Sequence, residues 1–226
     1  MTSPGGLLSA VCVAYALRPG PKHTDGTGID KLPVTGPVEA GPLGLAGDRI
    51  GDLASHGGPE QAVYAYADED ADWWAERLQR EVPPGLFGEN LRTARVDVNG
   101  AEIGERWRIG GADGVGGVLV QVTAPRIPCV TFADRMGEPH WVKRFAQGRR
   151  PGAYLAVLEG GPLAAGDPIT VVHRPGHGVT VADIFPGLPA DMARHLLDAN
   201  ADPDVPFTLL PKMLDWCLNQ TNLSPS

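Results

Sequence analysis

The chain has 226 residues, of which 42% are hydrophobic and 20% are charged, which is enough apolar content for one sizeable folded core. Its formal net charge of −8 argues against general affinity for nucleic acid, because such binding needs a basic surface. The three cysteines, Cys12, Cys129 and Cys217, lie far apart without a CxxC pair, which excludes a disulfide framework and a structural zinc site. The apolar run 7–17 is too short to cross a bilayer and follows no Lys or Arg, so we predict a soluble, cytoplasmic protein.

Short apolar segments bounded by turn residues predict a mainly β fold. The 30 glycines and 22 prolines imply many turns, and seven or eight short strands joined in this way are typical of a closed or nearly closed β-barrel. A polar loop at 19–28 and a long irregular stretch at 44–58 interrupt the strands. The predicted strands are 9–17, one near Val38, 62–66, 95–98, 106–109, 118–122, 154–158 and 169–173.

A few helices accompany these strands, and helical spacing dominates after Gly178. The clearest helix has acidic residues in its first turn and apolar residues recurring at three and four. The predicted helices are 68–82, 139–147, a capped start at 180–183, 189–200 and 208–220. Helices of this length need tertiary packing to persist in water. We therefore predict a β-barrel domain of residues 1–177 with peripheral helices, and a small three-helix domain of residues 178–226.

Cys129 occupies an unusual position for a cysteine. It follows the predicted strand 118–122. Pro125 and Pro128 stiffen the turn that connects this strand to Cys129, because they fix φ and remove two backbone donors. Arg126 lies three residues before the thiol, and a nearby guanidinium favours the thiolate, which can attack carbon or bind a metal. The alternative is a structural role, because many cysteines are small buried hydrophobes.

Two loops and one cation add candidate site residues. The run His56-Gly57-Gly58 allows close backbone approach to a ligand, and its histidine is either a structural hydrogen-bonding group, a proton shuttle or a metal ligand. Asn90 could bind a heterocycle edge such as a pterin, or bond its own backbone in a turn. Lys31 by itself is an isolated cation.

Basic residues are concentrated in the segment 126–150, which contains six Lys or Arg and two acids on an otherwise acidic chain. This segment is either a solvated basic face or part of an anion site, since forked guanidinium groups suit phosphate.

The order of these motifs resembles the MOSC domain, the module that also forms the C-terminal part of molybdenum-cofactor sulfurases. The chain looks most like the small bacterial stand-alone MOSC proteins that carry an added three-helix domain. The resemblance covers nearly the whole chain, and several motifs in one order are more specific than any single one. The motifs are TGIDKLPV (27–34), GLAGD (44–48), HGG (56–58), FGENL (87–91), QVTAPRIPC (121–129), GAY (152–154) and GD (166–167).

The resemblance implies a β-barrel with a basic cleft that holds a pterin–dithiolene molybdenum cofactor (molybdopterin). Cys129 would bind the metal directly, as a soft thiolate can. Arg126 and Lys31 would anchor the cofactor phosphate and the pterin side, while Asn90 and the loop 56–58 would line the pocket. One departure from such relatives is Gln61, where a Lys is frequent, so part of the phosphate grip would depend on Arg49 or on an arginine from 144–150.

The function that the resemblance implies is reduction of N-hydroxylated compounds, namely hydroxylamines, amidoximes or N-hydroxylated base analogues. His56 or Glu89 would relay protons. Because the chain has no flavin, haem or iron–sulfur signature, a separate reductase must supply the electrons.

Two alternatives stay open. One is a module that carries or stores the cofactor or its sulfurated form, and the other is a metal-free enzyme with Cys129 as nucleophile and His56 or His140 as base. The expected partners are the electron donor and a small substrate, with neither nucleic acid nor membrane, and a homodimer is compatible with the sequence.

Overall fold

A computed structural model of the chain describes residues 5–21, 23–51, 57–111, 116–203 and 207–221, with the side chains of 23–25 left aside. Its strands are β1 Gly6–Val13, β2 Arg18–Gly20, β3 His23–Thr27, β4 Leu32–Pro33, β5 Val38–Gly41, β6 Gly44–Leu45, β7 Val63–Ala67, β8 Leu91–Ala94, β9 Arg106–Ile109, β10 Val118–Pro125, β11 Ala153–Glu159, β12 Gly161–Leu163 and β13 Pro168–His173. Its α-helices are α1 Asp68–Leu78, α2 Val130–Met136, α3 Trp141–Gly148, α4 Val181–Ile184, α5 Ala190–Ala201 and α6 Pro211–Thr221.

Within these ranges, seven strands form a closed barrel in the order β13-β9-β10-β11-β7-β8-β1, and pairing of β1 with β13 completes the circle. The pair β7–β8 is parallel, because α1 carries the chain back between the two strands. The other described pairs are antiparallel. The mainly β barrel predicted from the turn-rich composition is therefore confirmed.

Fully buried aliphatic and aromatic side chains fill the barrel, as the apolar strand runs predict. The barrel core includes Leu8, Trp107, Ile109, Val120 and Leu155. The same apolar cluster continues into the C-terminal helices. The buried tail residues in it are Val179, Val181, Ile184, Leu188, Ala193, Leu196, Phe207, Leu209, Met213 and Cys217. The domain boundary predicted after residue 177 lies in the segment between β13 and α4, but the two parts share one core.

A second cluster of aromatic rings packs α1, α2 and α3 together beside the barrel. Phe132 meets Phe87 with ring centroids 5.4 Å apart, and Trp141 meets Trp74 at 4.7 Å. Such edge and tilted contacts are favoured between aromatic rings. Because Phe132 follows Cys129 by three residues, this cluster fixes the helix that begins directly after the thiol.

Several boundaries differ from the sequence prediction. The strand predicted at 95–98 is wrong: the strand is β8, which ends where Arg95 takes a φ of 58° and gives its N–H to the Glu69 carboxylate at 2.7 Å. Helix α1 ends four residues before the predicted stop, at Gln79 in the left-handed conformation. Helix α2 was not predicted, and a short hairpin of β2 and β3 replaces much of the loop predicted at 19–28.

The start of α4 is confirmed in detail. Thr180 accepts a hydrogen bond from the Asp183 N–H, and the Asp183 carboxylate accepts one from the Thr180 N–H at 3.0 Å. This is a capping box, in which two otherwise unpaired backbone donors are satisfied reciprocally.

Candidate functional site

A cleft with about 710 Å³ of open space, part of it continuous with solvent, collects residues from six separate segments. Five of the predicted site residues line it: Lys31, Gly57, Asn90, Arg126 and Cys129. The lining includes Thr27, Ile29, Lys31, Asp48, Arg49, Gly57, Gln61, Tyr64, Asn90, Arg126, Cys129, Thr131 and Tyr154.

Cys129 is the last extended residue before α2, with φ −126° and ψ 175°, and it is half-buried in the cleft. Its carbonyl accepts the Ala133 N–H at 3.0 Å, which starts the helix. The other two cysteines differ sharply. Burial raises the pKa of the Cys12 thiol to about 12 and that of Cys217 to about 11, which keeps both protonated and inert. The predicted site cysteine is thus the accessible one.

Arg126 is 6% exposed and lines the same cleft. Its Nη1 donates to the Phe87 carbonyl at 2.8 Å, and its guanidinium lies 3.8 Å from the centre of the Phe132 ring and 5.3 Å from that of Tyr64. Among the described residues, these contacts are a carbonyl and aromatic rings rather than a carboxylate. A nearly buried cation held in this way favours an anionic ligand, which would supply the missing counter-charge.

Lys31 and Asn90 also line the cleft, but both contact Asp48. The Lys31 ammonium donates to Asp48 Oδ1 at 2.6 Å, and Asn90 Nδ2 donates to Oδ2 at 2.9 Å. Burial lowers the pKa of Lys31, while the adjacent Asp48 carboxylate opposes that shift. The Ala14 N–H donates to the same carboxylate at 2.7 Å, so Asp48 is the centre of a buried network on the cleft wall.

Asn90 also forms hydrogen bonds with the backbone of neighbouring strands. Its Oδ1 accepts the Tyr64 N–H at 3.2 Å, and its Nδ2 also donates to the Cys12 carbonyl at 3.2 Å. Both amide hydrogens and one oxygen lone pair are therefore used within the protein. What a ligand can meet at Asn90 is the remaining oxygen lone pair.

Glu89 lies outside the cleft lining and is fully buried. Its carboxylate pairs with the Arg92 guanidinium and accepts the N–H groups of Gly85 at 2.8 Å and Phe87 at 3.0 Å. These contacts fold the loop 85–89 into a fixed shape. The described contacts of Glu89 are structural, and its role as proton relay stays a prediction.

The glycine loop is described in part. Gly57 lines the cleft with φ 79°, and Gly58, with φ 80°, precedes a 3-10 turn at Pro59–Gln61. Both glycines take a backbone conformation that side chains disfavour, as predicted from the pair. His56 lies outside the described residues.

Two cleft residues have a buried side-chain oxygen without a hydrogen-bond partner among the described residues, a feature that the sequence does not reveal. Thr131 Oγ1 and Gln61 Oε1 are buried and, within the described chain, have no hydrogen-bond partner. Such atoms are costly in an empty protein and are normally satisfied by water or a ligand. Thr131 could have been suspected from its place two residues after Cys129.

Of the other cations proposed to bind the cofactor phosphate, one lines the cleft and two form ion pairs elsewhere. Arg49 lines the cleft, whereas Arg144 pairs with Glu138 at 2.9 Å and Arg150 pairs with Asp70. His140, the alternative base, is exposed before α3 and does not line the cleft. Within the described ranges, no group of three or more His, Cys, Asp or Glu is placed to hold a metal ion.

Comparison with known families identifies this architecture. A family model described as the MOSC domain matches residues 52–170, just over half of the chain. The chain belongs to the MOSC domain family. The resemblance drawn from the ordered motifs is thereby confirmed.

Two bacterial MOSC relatives are similar over most of their length. Protein YflK of Bacillus subtilis (strain 168), described as uncharacterized, is 35% identical over 155 residues, which cover 69% of this chain and 67% of YflK. Protein YiiM of Escherichia coli (strain K12) is 30% identical over 150 residues, which cover 65% of this chain and 64% of YiiM. A protein named "Reductase" from Gibberella moniliformis is 34% identical over 148 residues, 62% of this chain, but the match spans 24% of the fungal protein.

Solved structures share the MOSC fold of this chain. The crystal structure of YiiM from Geobacillus stearothermophilus superposes with a TM-score of 0.72 at 24% identity, covering 96% of this chain and 99% of that protein. YiiM from Escherichia coli gives a TM-score of 0.65 at 24% identity, covering 84% and 88%. None of the helices in the described ranges has the length and apolarity needed to cross a membrane.

MOSC domains are associated in general with the molybdenum cofactor, and the described cleft residues fit such a group. The cofactor is an anion with a soft metal centre. Arg126 offers a buried cation for which the described residues supply no carboxylate, and Cys129 offers a thiol, a soft ligand that can bind a metal as thiolate.

Proposed function

We propose that this MOSC protein binds the molybdenum cofactor through Cys129 and reduces N-hydroxylated compounds with electrons from a separate reductase. The observation that carries the proposal is the presence, in one cleft, of an accessible thiol and a nearly buried guanidinium to which none of the described residues brings a carboxylate. The name of the fungal relative, "Reductase", agrees with a reductive activity but belongs to a much longer protein.

The chain's own residues would bind and orient the cofactor. In this proposal Cys129 is the metal ligand, Arg126 receives the phosphate, and Lys31 lies on the pterin side, where Asp48 holds its ammonium in place. Asn90 would offer its remaining oxygen lone pair, and the backbone of Gly57 and Gly58 would allow close approach. The bound cofactor would supply the two-electron redox chemistry.

The overall change converts an N–OH group into N–H and releases water, which requires two electrons and two protons. We propose His56 as the group that relays protons, because it adjoins the cleft-lining Gly57 in the sequence. Glu89 is the weaker candidate, since its carboxylate already accepts hydrogen bonds from three residues away from the cleft.

The test is metal and pterin analysis of protein from molybdate-fed cells, together with reduction of benzamidoxime by an artificial electron donor. Wild-type protein is expected to hold stoichiometric molybdenum and pterin and to form benzamidine. Cys129→Ala should lose the metal, whereas Cys217→Ala, a matched change at a buried cysteine, should keep it.

Each other outcome has a definite meaning. Retention of molybdenum by Cys129→Ala would refute the ligand assignment. Bound cofactor without reduction of any N-hydroxylated compound would favour the carrier. A protein that never acquires metal or pterin would leave the metal-free cysteine enzyme as the better interpretation.

A further inference from the structure

The first turn of helix α6 is capped by Glu60, which lies 152 residues before Lys212 in the chain. α6 begins at Pro211, which has no N–H, and Leu210 before it has no side-chain oxygen that could accept the next N–H. The first donor of the helix is therefore the Lys212 N–H, and the Glu60 carboxylate accepts it with both oxygens at 3.1 Å. A carboxylate at this end also interacts favourably with the helix dipole.

Glu60 belongs to the wall of the cleft. It lies in the 3-10 turn Pro59–Gln61, and Gly57 and Gln61 on either side of it both line the cleft. The Gln61 N–H donates to the Gly58 carbonyl at 3.0 Å, which closes the turn. A displacement of Glu60 therefore displaces two residues of the cleft wall.

Thr123 connects the same turn to the strand that leads to the candidate metal ligand. Its Oγ1 donates to the Glu60 carbonyl at 2.7 Å and also lies 3.0 Å from the Tyr154 carbonyl oxygen. Thr123 is in β10, which ends directly before Arg126. The Glu60 backbone is thus anchored to β10, and its side chain is anchored to α6.

A second contact between the tail and β10 lies two residues before Thr123. Gln121 Nε2 donates to the Thr208 carbonyl at 3.4 Å, and Gln121 Oε1 accepts a hydrogen bond from Arg106 Nε at 3.1 Å. Met213 of α6 is buried in the apolar cluster that includes Val122. The tail therefore packs against the part of β10 that precedes the cleft residues.

The Glu60 cap is the tail contact that can be removed with least effect on packing. Glu60 is half-buried and Lys212 is exposed, so the carboxylate adds little to the apolar core. Loss of one helix cap is also a small fraction of the stability of a domain. A variant at Glu60 should therefore fold and yet release the cleft wall from α6.

We propose that Glu60 is a positioning residue for the cofactor: it ties the Gly57–Gln61 wall of the cleft to α6, so that the C-terminal tail determines how firmly the cleft retains its ligand. This inference rests on the proposed function. It adds a role for the tail, which lies outside the residues 52–170 matched by the MOSC family model.

The first test is amide hydrogen exchange of the full-length protein from cells grown without molybdate. Glu60→Ala should raise the exchange rate of peptides covering 57–62 about five-fold, because opening of the turn no longer breaks the contact with α6. Glu60→Gln keeps an acceptor oxygen for the Lys212 N–H and should stay within about two-fold of wild type. Thr180→Ala, which removes the cap of α4 in the same tail but does not line the cleft, is the matched control and should leave these peptides unchanged.

The second test measures cofactor retention in the same variants from molybdate-fed cells, as molybdenum and pterin released over time during dialysis. Glu60→Ala should release both about five-fold faster than wild type, because the loosened wall shortens the residence time of the ligand. Glu60→Gln and Thr180→Ala should stay within about two-fold of wild type.

The two tests separate this inference from the proposed function. Faster exchange in Glu60→Ala with unchanged cofactor release would mean that the cap is structural only and would overturn the positioning role, as would equal effects of Glu60→Ala and Thr180→Ala. Unchanged exchange would overturn the coupling of α6 to the cleft wall. Wild-type protein that holds neither molybdenum nor pterin would overturn the proposed function and the role toward the cofactor, while the exchange rates would still decide whether α6 holds the cleft wall.

Discussion

Two of the three buried cations near the cleft are paired with carboxylates, and the third has partners of another kind. Lys31 and Asp48 form an ion pair whose side chains are 8% and 2% exposed, and Arg92 and Glu89 form a second buried pair. Arg126 has aromatic rings and a carbonyl instead. Because a buried charge is costly without compensation, the first two pairs stabilise the fold only as intact pairs, and the third charge remains available to a ligand.

Replacing Asp48 by Asn tests the role of the cleft-wall network. The change leaves the Lys31 ammonium buried without its counter-ion, so we expect the free energy of unfolding to fall by about 3 to 5 kcal/mol at neutral pH. Urea unfolding followed by tryptophan fluorescence measures it. Asp134→Asn, which breaks a largely exposed pair with Arg18, should cost less than about 1 kcal/mol. Equal losses in the two variants would contradict this account.

At the residue scale, the sequence indicates which side chains belong to the cleft better than it indicates their partners. Cys129 is predicted because a preceding strand and two prolines restrict its backbone, and Arg126 because its guanidinium lies near that thiol and matches a position in the family motif. Glu89 was predicted as a site residue because nothing in the sequence reveals that Arg92, three residues later, folds back onto it. Asp48 lay within a recognised motif, but its contact with Lys31 depends on a loop that only the fold defines.

At the scale of elements, strands with a clear local sequence pattern were predicted well. Strands whose bounds depend on pairing with neighbouring strands were not. The strand 106–109 was placed correctly, because its alternation of half-buried arginines and buried apolar residues is local. Strand β8 was placed four residues late, because its pairing with β1 and β7 outweighs the local pattern. Helix α2 has no side-chain cap at Cys129, so its start left no signal in the sequence.

The segment between β13 and α4 gives a pH-dependent prediction. His177 Nε2 lies 2.8 Å from the Ile103 carbonyl, and its Nδ1 accepts the Val179 N–H at 3.0 Å, so the ring is held neutral between barrel and tail. Burial lowers the pKa of His177 below 6.5; the Ile103 contact and Glu102 oppose this shift, and His195 adds to it.

The direction in which stability changes with pH follows from proton binding to His177. As pH falls below about 6.5, the unfolded chain protonates this histidine before the folded one does, so stability is lost with decreasing pH. Unfolding measured from pH 8 to pH 5 should therefore show a steeper loss in wild type than in His177→Gln. The reference variant retains His173, whose pKa burial also lowers, so the difference between the two slopes isolates His177. Identical slopes would contradict the assignment.

At the scale of the whole molecule, the barrel and the helical tail depend on a common interior. Phe207 lies against His177 with ring centroids 4.9 Å apart, and Leu209 and Met213 belong to the same apolar cluster as the barrel strands. Separating the two parts would expose this surface to water, at roughly 25 cal/mol per Å² of apolar area.

We therefore expect one cooperative unfolding transition for the chain, although the sequence suggests a boundary after residue 177. Differential scanning calorimetry should give a calorimetric enthalpy equal to the van 't Hoff enthalpy. Two resolved transitions, or fluorescence and circular dichroism curves that do not coincide, would show that the tail unfolds by itself.

The contrast among the three cysteines, all of which lie in the described ranges, has a practical consequence. Cys12 and Cys217 are sealed in the interior, while Cys129 is reachable at the cleft. The native apoprotein thus offers thiol-directed reagents one attachment point, and a spin label or fluorophore coupled to it would report from the cleft without any cysteine having to be engineered away.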